Sequence, residues 1–163
     1  MRKINSILIS AILIILLIPS LSISERGIKS KVNEIARDGR FIAYNNGTVL
    51  DTKTGLMWAS KDNGKDINWQ DAKRYCENYR GGGYNDWRMP TLDELKGTYD
   101  NIKENRYDIH LTKKFIDISA CCPWALETRG SLAARFNFYY GLWNWACQSG
   151  SLFTRALPVR SCN

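Results

Sequence analysis

The chain has a single histidine, His110, and no acidic residue after Glu127. One histidine cannot build a multi-histidine metal site. No nucleophile motif accompanies it, so His110 reads as an ordinary surface residue and no catalytic set is predicted. A phosphate-cradling glycine loop with its lysine is also missing, because Gly81-Gly82-Gly83 follows a helical segment instead of opening one. There are no internal repeats and no low-complexity stretch. The longest apolar run, Ile7 to Ile18, falls short of the ~20 residues that a bilayer-spanning helix needs. No cysteine precedes Cys76, which excludes a lipid-modified cysteine at a processed N-terminus. Neither a cofactor nor a metal is expected.

That short run has its own reading. Arg2 and Lys3 before it and Ser22-Ile23-Ser24 after it make residues 1–24 a signal peptide, so the chain is expected to be secreted or periplasmic with no stable membrane span after cleavage. Cleavage removes two cations and no acid, taking the net charge from +7 to +5. The remaining charge is uneven: Arg129, Arg135, Arg155 and Arg160 follow the last acid. A positive C-terminal third in an exported protein attracts polyanions, and an acidic or sulfated polysaccharide fits better than nucleic acid. The competing reading is a solvated basic surface that aids solubility.

Five cysteines in an exported chain of this size point to disulfides. A bond from Cys76 to Cys162 would staple the terminus to the first helix. Closing so long a loop removes ~4 kcal/mol of unfolded-state entropy. Cys147 is then left with either Cys121 or Cys122, and one thiol is left over, free or bridging two chains.

Along the chain, residues 25–40 are charged and read as a tether with at most a turn or two of helix. Phe41 to Tyr44 and Thr48 to Leu50, joined by Asn45-Asn46-Gly47, predict a β-hairpin. Leu56 to Ala59 follows as another short strand. Trp69, Ala72, Cys76 and Tyr79 recur at helical spacing and predict a helix with that stripe buried, while Leu92, Leu95 and Tyr99 predict a second. Each helix has an oxygen-bearing cap, Asn68 before Asp71 and Thr91 before Glu94, and the second pair has the full capping-box form. Residues 100–118 read as a loop. Trp124-Ala125-Leu126 is strand-like. Ala134, Phe136, Phe138 and Tyr140 alternate with polar or aromatic neighbours, as in a strand with one buried face. Trp143 to Cys147 returns with Trp143 and Trp145 on a buried face. Arg155 to Arg160 forms the last strand, and Pro158 places it at an edge or a bulge. The predicted fold class is α+β, with two short helices beside a twisted, mostly antiparallel sheet.

Several stretches taken together resemble one family. They are Asp51-Thr52-Lys53-Thr54-Gly55-Leu56-Met57-Trp58, the Trp69…Ala72…Cys76 helix, Asp86-Trp87-Arg88-Met89-Pro90-Thr91…Glu94-Leu95, Glu127-Thr128-Arg129-Gly130-Ser131 and Leu157-Pro158-Val159-Arg160. The family is the C-terminal domain of the Legionella collagen-like adhesin, and the resemblance covers residues 41–163 apart from the last position. It implies a C-type-lectin-like fold, shared with formylglycine-generating enzymes and phage receptor-binding proteins. It also implies an outer disulfide from the first helix to the last strand, which suits Cys76 and Cys162, and an inner one, which suits Cys147 with Cys122 or Cys121. The adhesin is similar to a trimeric binder of sulfated polysaccharides, but this chain lacks the Gly-X-Y stalk that precedes the domain there.

Calcium-dependent sugar binding in true C-type lectins uses Glu-Pro-Asn or Gln-Pro-Asp with Trp-Asn-Asp. None of these occurs here, so no calcium site is expected. Within Asp86-Trp87-Arg88, the favoured reading has Trp87 in the core while Asp86 and Arg88 brace the glycine loop. Aromatic rings beside arginines suit an anionic sugar, since rings stack on the pyranose and guanidinium groups grip sulfate or carboxylate. The predicted ligand surface is Arg129, Arg135, Tyr139 and Arg155. The expected function is therefore an exported, non-catalytic, adhesin-like binding module for an anionic glycan or a cell-surface protein. A structural part of an envelope assembly is the first alternative. A formylglycine-generating-type enzyme, which needs a reactive cysteine pair, is the second.

Overall fold

The computed structural model describes residues 31–99 and 115–162. The signal segment, the start of the tether, His110 and most of the predicted 100–118 loop lie outside the described residues.

Two sheets and two helices make the fold. The first sheet has the order β1-β2-β3-β4-β9 and is antiparallel throughout: β1 Glu34–Asp38, β2 Phe41–Tyr44, β3 Thr48–Asp51, β4 Leu56–Ala59 and β9 Val159–Ser161. The second has the order β7-β6-β5-β8: β5 Cys122–Arg129, β6 Leu132–Asn137, β7 Leu142–Cys147 and the two-residue β8 Thr154–Arg155. Only β8 runs parallel to its neighbour. The expected α+β class and the predominance of antiparallel pairing are both present.

Apolar residues on alternating positions dictate three layers. Trp58 and Leu56 of β4 point one way, into the main core with Val49, Leu95, Phe136, Phe138 and Leu157. Met57 and Ala59 of the same strand point the other way, against Trp87. Helix α1, Trp69–Asn78, lays Ala72 and Cys76 on the far side of the second sheet with Met89, Trp124 and Ala133. The Asn68 side chain accepts the Asp71 amide at 2.9 Å, and at α2, Leu92–Thr98, Thr91 and Glu94 form the reciprocal capping box. Glu127 adds a second carboxylate, accepting the Leu92 amide through both oxygens at 3.0 and 2.9 Å. That amide is one of the orphan donors of the first turn.

For Asp86-Trp87-Arg88, the core position of Trp87 matches the expectation, but Asp86 and Arg88 do not brace the glycine loop: they bond the last strand and the second helix. Trp87 is 3% exposed and its Nε1 donates to the Gly81 carbonyl, Arg88 grips Glu94 and Asp86 grips Arg160. Gly82 takes φ +67°, and a Cβ there would lie 2.5 Å from Thr48 Cγ2. Close approach of the backbone therefore demands glycine at this position.

Five further expectations are corrected. Part of the predicted tether, Glu34–Asp38, is a strand, because its backbone pairs with β2 although all its side chains but Ala36 stay exposed. Tyr140 does not share the buried face of Ala134, Phe136 and Phe138: β6 ends at Asn137, and Tyr140 lies in the following turn, 73% exposed. Trp143 and Trp145 do share a face, yet that face is covered only at Trp145, since β7 is an edge strand and Trp143 is 44% exposed. The predicted last strand is two. β8 belongs to the second sheet and β9 to the first, and the chain crosses between them through Ala156, Leu157 and Pro158.

The cysteines supply the fifth. Cys121 is bonded to Cys122, while Cys76, Cys147 and Cys162 are free thiols. Cys76 points into the apolar cluster under α1, Cys162 sits beside Arg160, and Cys147 is exposed at the end of β7. The three sulfurs thus occupy different environments, and neither the Cys76–Cys162 clasp nor a Cys147 bond to Cys122 or Cys121 forms. β5 starts at Cys122, so the strand alternation that separates the two neighbours does not apply to Cys121.

Candidate binding surface

The four residues predicted to make one surface fall in three places. Arg155 is 8% exposed and faces inward. Its Nε donates to Ser119 Oγ at 2.6 Å, and its Nη1 donates to the Thr154 carbonyl and to Asp66 Oδ1. Asp62 Oδ2 lies 3.7 Å from Nε. Asp62 is itself buried, accepting the Gly64 and Ser119 amides at 2.7 Å each. Arg155 is therefore an internal brace, and the contact holds the Asp66 carboxyl below its usual pKa, chiefly through the guanidinium hydrogen bond.

Arg160 is similarly occupied. It makes a two-pronged contact with Asp86 at 2.6 and 3.0 Å and stacks its guanidinium 4.0 Å over the Tyr84 ring. The hydrogen bond from Arg160 holds Asp86 below its usual pKa. Two of the four arginines in the acid-free C-terminal third are thus neutralised by aspartates from the middle of the chain.

Arg129 and Arg135 remain available, on opposite faces. Residues paired across antiparallel strands share a face and successive residues alternate. Arg129 pairs with Leu132, whereas Arg135 lies three positions further along β6. Arg129 is exposed, and no ion pair reaches it among the described residues. Arg135 is half-buried, and its Nε donates to Asn144 Oδ1 at 3.2 Å across the β6–β7 pair; no ion pair reaches it among the described residues.

The β6–β7 hairpin is where charge and rings meet. Asn137 Oδ1 accepts the Tyr139 amide at 2.9 Å, fixing the start of the turn. Gly141 closes it at φ +69°, with Tyr99 packed so tightly that a Cβ would sit 2.5 Å from the ring. Tyr139 (42%), Tyr140 (73%), Leu142 (65%) and Trp143 (44%) stay exposed. On the opposite face from Arg135, the Lys96 ammonium lies 5.5 Å from the centroid of Trp143. Sequence reasoning missed Lys96, Tyr140, Leu142 and Asn144 as surface groups. The Gly141 turn was the signal for Tyr140, but no local pattern says that β7 lies at the edge of its sheet among the described residues.

Other places offer less. A cleft of about 360 Å3 at the start of α1 is lined by Lys65, Asp66, Ile67, Asn68, Asp71 and Ser151, and its two carboxylates make it a poor berth for a polyanion. Among the described residues no group of three or more His, Cys, Asp or Glu side chains converges as metal ligands. Burial pushes the Cys76 thiol far above its usual range, so it is inert packing; burial also raises Cys162, with Arg160 opposing.

Residues 47–160 match the model of the Lcl C-terminal domain family, which is well over half of the chain. The protein belongs to the Lcl C-terminal domain family. The match begins in the β2–β3 turn and ends within β9, so it takes in both helices, the glycine turn and the whole second sheet. No curated protein matches the chain by sequence. Membership in the Lcl C-terminal family is consistent with an adhesin-like surface module. It does not specify a ligand, since a fold hosts many functions.

Proposed function

We propose that this Lcl C-terminal domain protein is an exported, non-catalytic binding module with a C-type-lectin-like arrangement, which holds an anionic glycan on the Arg135 face of its β6–β7 hairpin. The observation that carries the reading is the cross-strand pair Arg135–Asn144, a half-buried guanidinium bonded to an amide, with the half-exposed ring of Tyr139 in the turn that closes the same hairpin. Ring stacking would hold the sugar plane, and the guanidinium would grip sulfate or carboxylate. The face opposite, with Lys96 over Trp143 and Arg129 near the hairpin's other end, adds positive potential without belonging to the same contact. Arg155 takes no part.

The test is retention on a sulfated polysaccharide such as heparin at two ionic strengths. Retention should fall with added salt, as screening requires. It should weaken strongly for Arg135→Ala and Tyr139→Ala, and less for Arg129→Ala. Salt-independent retention, or retention that Arg135→Ala leaves unchanged, would reject this surface. A cell-surface protein as the partner is the second outcome, favoured if the exposed Tyr140 and Trp143 matter and the arginines do not.

A further inference from the structure

A disulfide stabilises a fold chiefly by closing a loop of chain, and its effect grows with the length of that loop. Cys121 and Cys122 are neighbours in sequence, so their bond encloses no loop and ties no distant parts of the chain together. Their Cα atoms stand 3.7 Å apart, as neighbours on one peptide link must, whereas ordinary disulfides span ~4.4–6.8 Å. A bridge held to so short a reach is reduced more readily than an ordinary one. As a staple the bond does little. As a group that opens and closes, it is well placed.

Three segments meet at it. The Phe138 amide donates to the Cys121 carbonyl at 2.9 Å, which anchors the chain just past β6, where the hairpin turn begins. Cys122 opens β5 and stands opposite Thr154 of β8. The Cys121 sulfur lies 3.7 Å from the Phe153 carbonyl oxygen. Phe153 is the one non-glycine among the described residues with a left-handed backbone, φ +57°, and its ring is 60% exposed. Such a conformation persists only where its surroundings hold it. The bonded pair is part of those surroundings.

We infer that Cys121–Cys122 is a reversible redox site, opened by an external dithiol that enters at Cys121, and that in its closed form it holds the backbone at Phe138 and Phe153. The two sulfurs are unequal, because Cys122 is 2% exposed and Cys121 only half-buried. A thiolate of the dithiol therefore attacks Cys121 Sγ. The bond between the two sulfurs breaks, and its electron pair leaves with Cys122 Sγ, which takes up a proton. The second thiol of the reductant then attacks the mixed disulfide, releases Cys121 as a thiol and departs as a disulfide. The protein gains the electrons and protons that the dithiol loses, so the exchange balances and runs backward with an oxidised dithiol.

The chain's own free thiols are badly placed to do the same. Cys76 is sealed beneath α1. Cys147 stands opposite Leu132, at the far end of β6 from Phe138 and about 20 Å away along the strand. Cys162 follows β9 of the other sheet, its amide bonded to the Gly55 carbonyl. The reductant is therefore external. Once the pair opens, the peptide between the two cysteines is free to turn. The Phe138 amide then loses a fixed acceptor, and the Phe153 turn loses the sulfur beside its carbonyl.

The experiment is differential alkylation of the purified, folded, oxidised chain, read by tandem mass spectrometry. N-ethylmaleimide first caps the exposed Cys147 and Cys162, dithiothreitol is then added without denaturant, and iodoacetamide labels what opens. Cys121 should acquire the second label about tenfold or more faster than the buried Cys122. Amide exchange at Phe138 and Thr154 should be several-fold faster in the reduced chain and return to its starting rate on reoxidation. Cys121→Ser should exchange at the fast rate with or without dithiol, and thermal melting confirms that it folds. Cys121 or Cys122 carrying the first label, or bonded to another cysteine, overturns the inference. So does a bond that opens only in denaturant, and so do exchange rates that are equal in the oxidised and reduced chains. Because no glycan is present, none of these results bears on the Arg135 reading, which keeps its own test.

Discussion

Arg155 and Arg135 sit 20 positions apart in the same acid-free stretch, and the fold gives them opposite roles. Around Arg155, Asp62, Asp66 and Ser119 close on the guanidinium until it is nearly sealed from water. Around Arg135, which is half-buried, one amide oxygen takes one of its donors and no carboxylate pairs with it among the described residues. A run without acids therefore implies nothing about the potential around each cation. Carboxylates arriving from 89 and 74 positions away cancel Arg155 and Arg160, and among the described residues none arrives at Arg129 or Arg135.

The largest expected effect breaks the sealed side of that contrast. Arg155→Ala leaves Asp62 buried without its cation, and removing one partner of a buried pair costs about 3–5 kcal/mol. Chemical denaturation should register that loss, while exposed Arg129→Ala stays within about 0.5 kcal/mol of the parent and half-buried Arg135→Ala within about 1 kcal/mol. If Arg155→Ala proves equally mild, the internal brace is not one.

Gly141→Ala tests the turn that carries the open side. A positive φ together with a methyl group driven into the Tyr99 ring should cost about 2 kcal/mol by denaturant titration. It should also loosen the Tyr139–Trp143 surface, read as faster amide exchange there.

Glu94 sharpens the comparison at intermediate burial. Desolvation alone would raise its carboxyl, but the Arg88 guanidinium and the Thr91 amide and hydroxyl outweigh that and hold it below the usual 4.5. A carboxyl whose folded pKa is depressed contributes stability that is complete above its unfolded value and lost as pH falls through the folded one. Glu94→Gln should therefore cost about 1–2 kcal/mol at neutral pH. The gap between variant and parent should shrink on acidification below the usual carboxylate range. Urea midpoints measured between neutral and strongly acidic pH would check the sign.

The smallest effect on stability is the most telling for function. Arg135→Ala should leave the melting temperature nearly unchanged while lowering retention on a sulfated polysaccharide, and Arg129→Ala should do so more weakly. Equal losses from the two would mean that the ligand wraps both faces of the sheet.

Much of the scaffold could be read from local patterns. Asn45-Asn46-Gly47 marked the β2–β3 hairpin, and the caps at Asn68 and Thr91 placed both helix starts to the residue. The core role of Trp87 followed from the recurrence of that position in the family pattern. The site was far less legible. Alternation along Ala134 to Tyr140 was read one turn too far, because period two cannot reveal where pairing stops. The tryptophans of β7 looked buried because they share a face, yet an edge strand covers only part of it. The sulfur pairing was inferred from the places of the cysteines on predicted elements and from the family resemblance, whereas it depends on where each side chain points.

The order of residues decided what a few neighbours can decide: hairpin turns, helix caps, which side chains share a face, and hence an α+β domain of this family. Only folding in three dimensions decided which arginines stay charged toward solvent, which sulfurs meet and which strand is left as an open edge. Those outcomes depend on groups that are remote in the chain and brought together by packing. Their distance in sequence holds no record of the meeting, while a turn or a cap is complete within four residues.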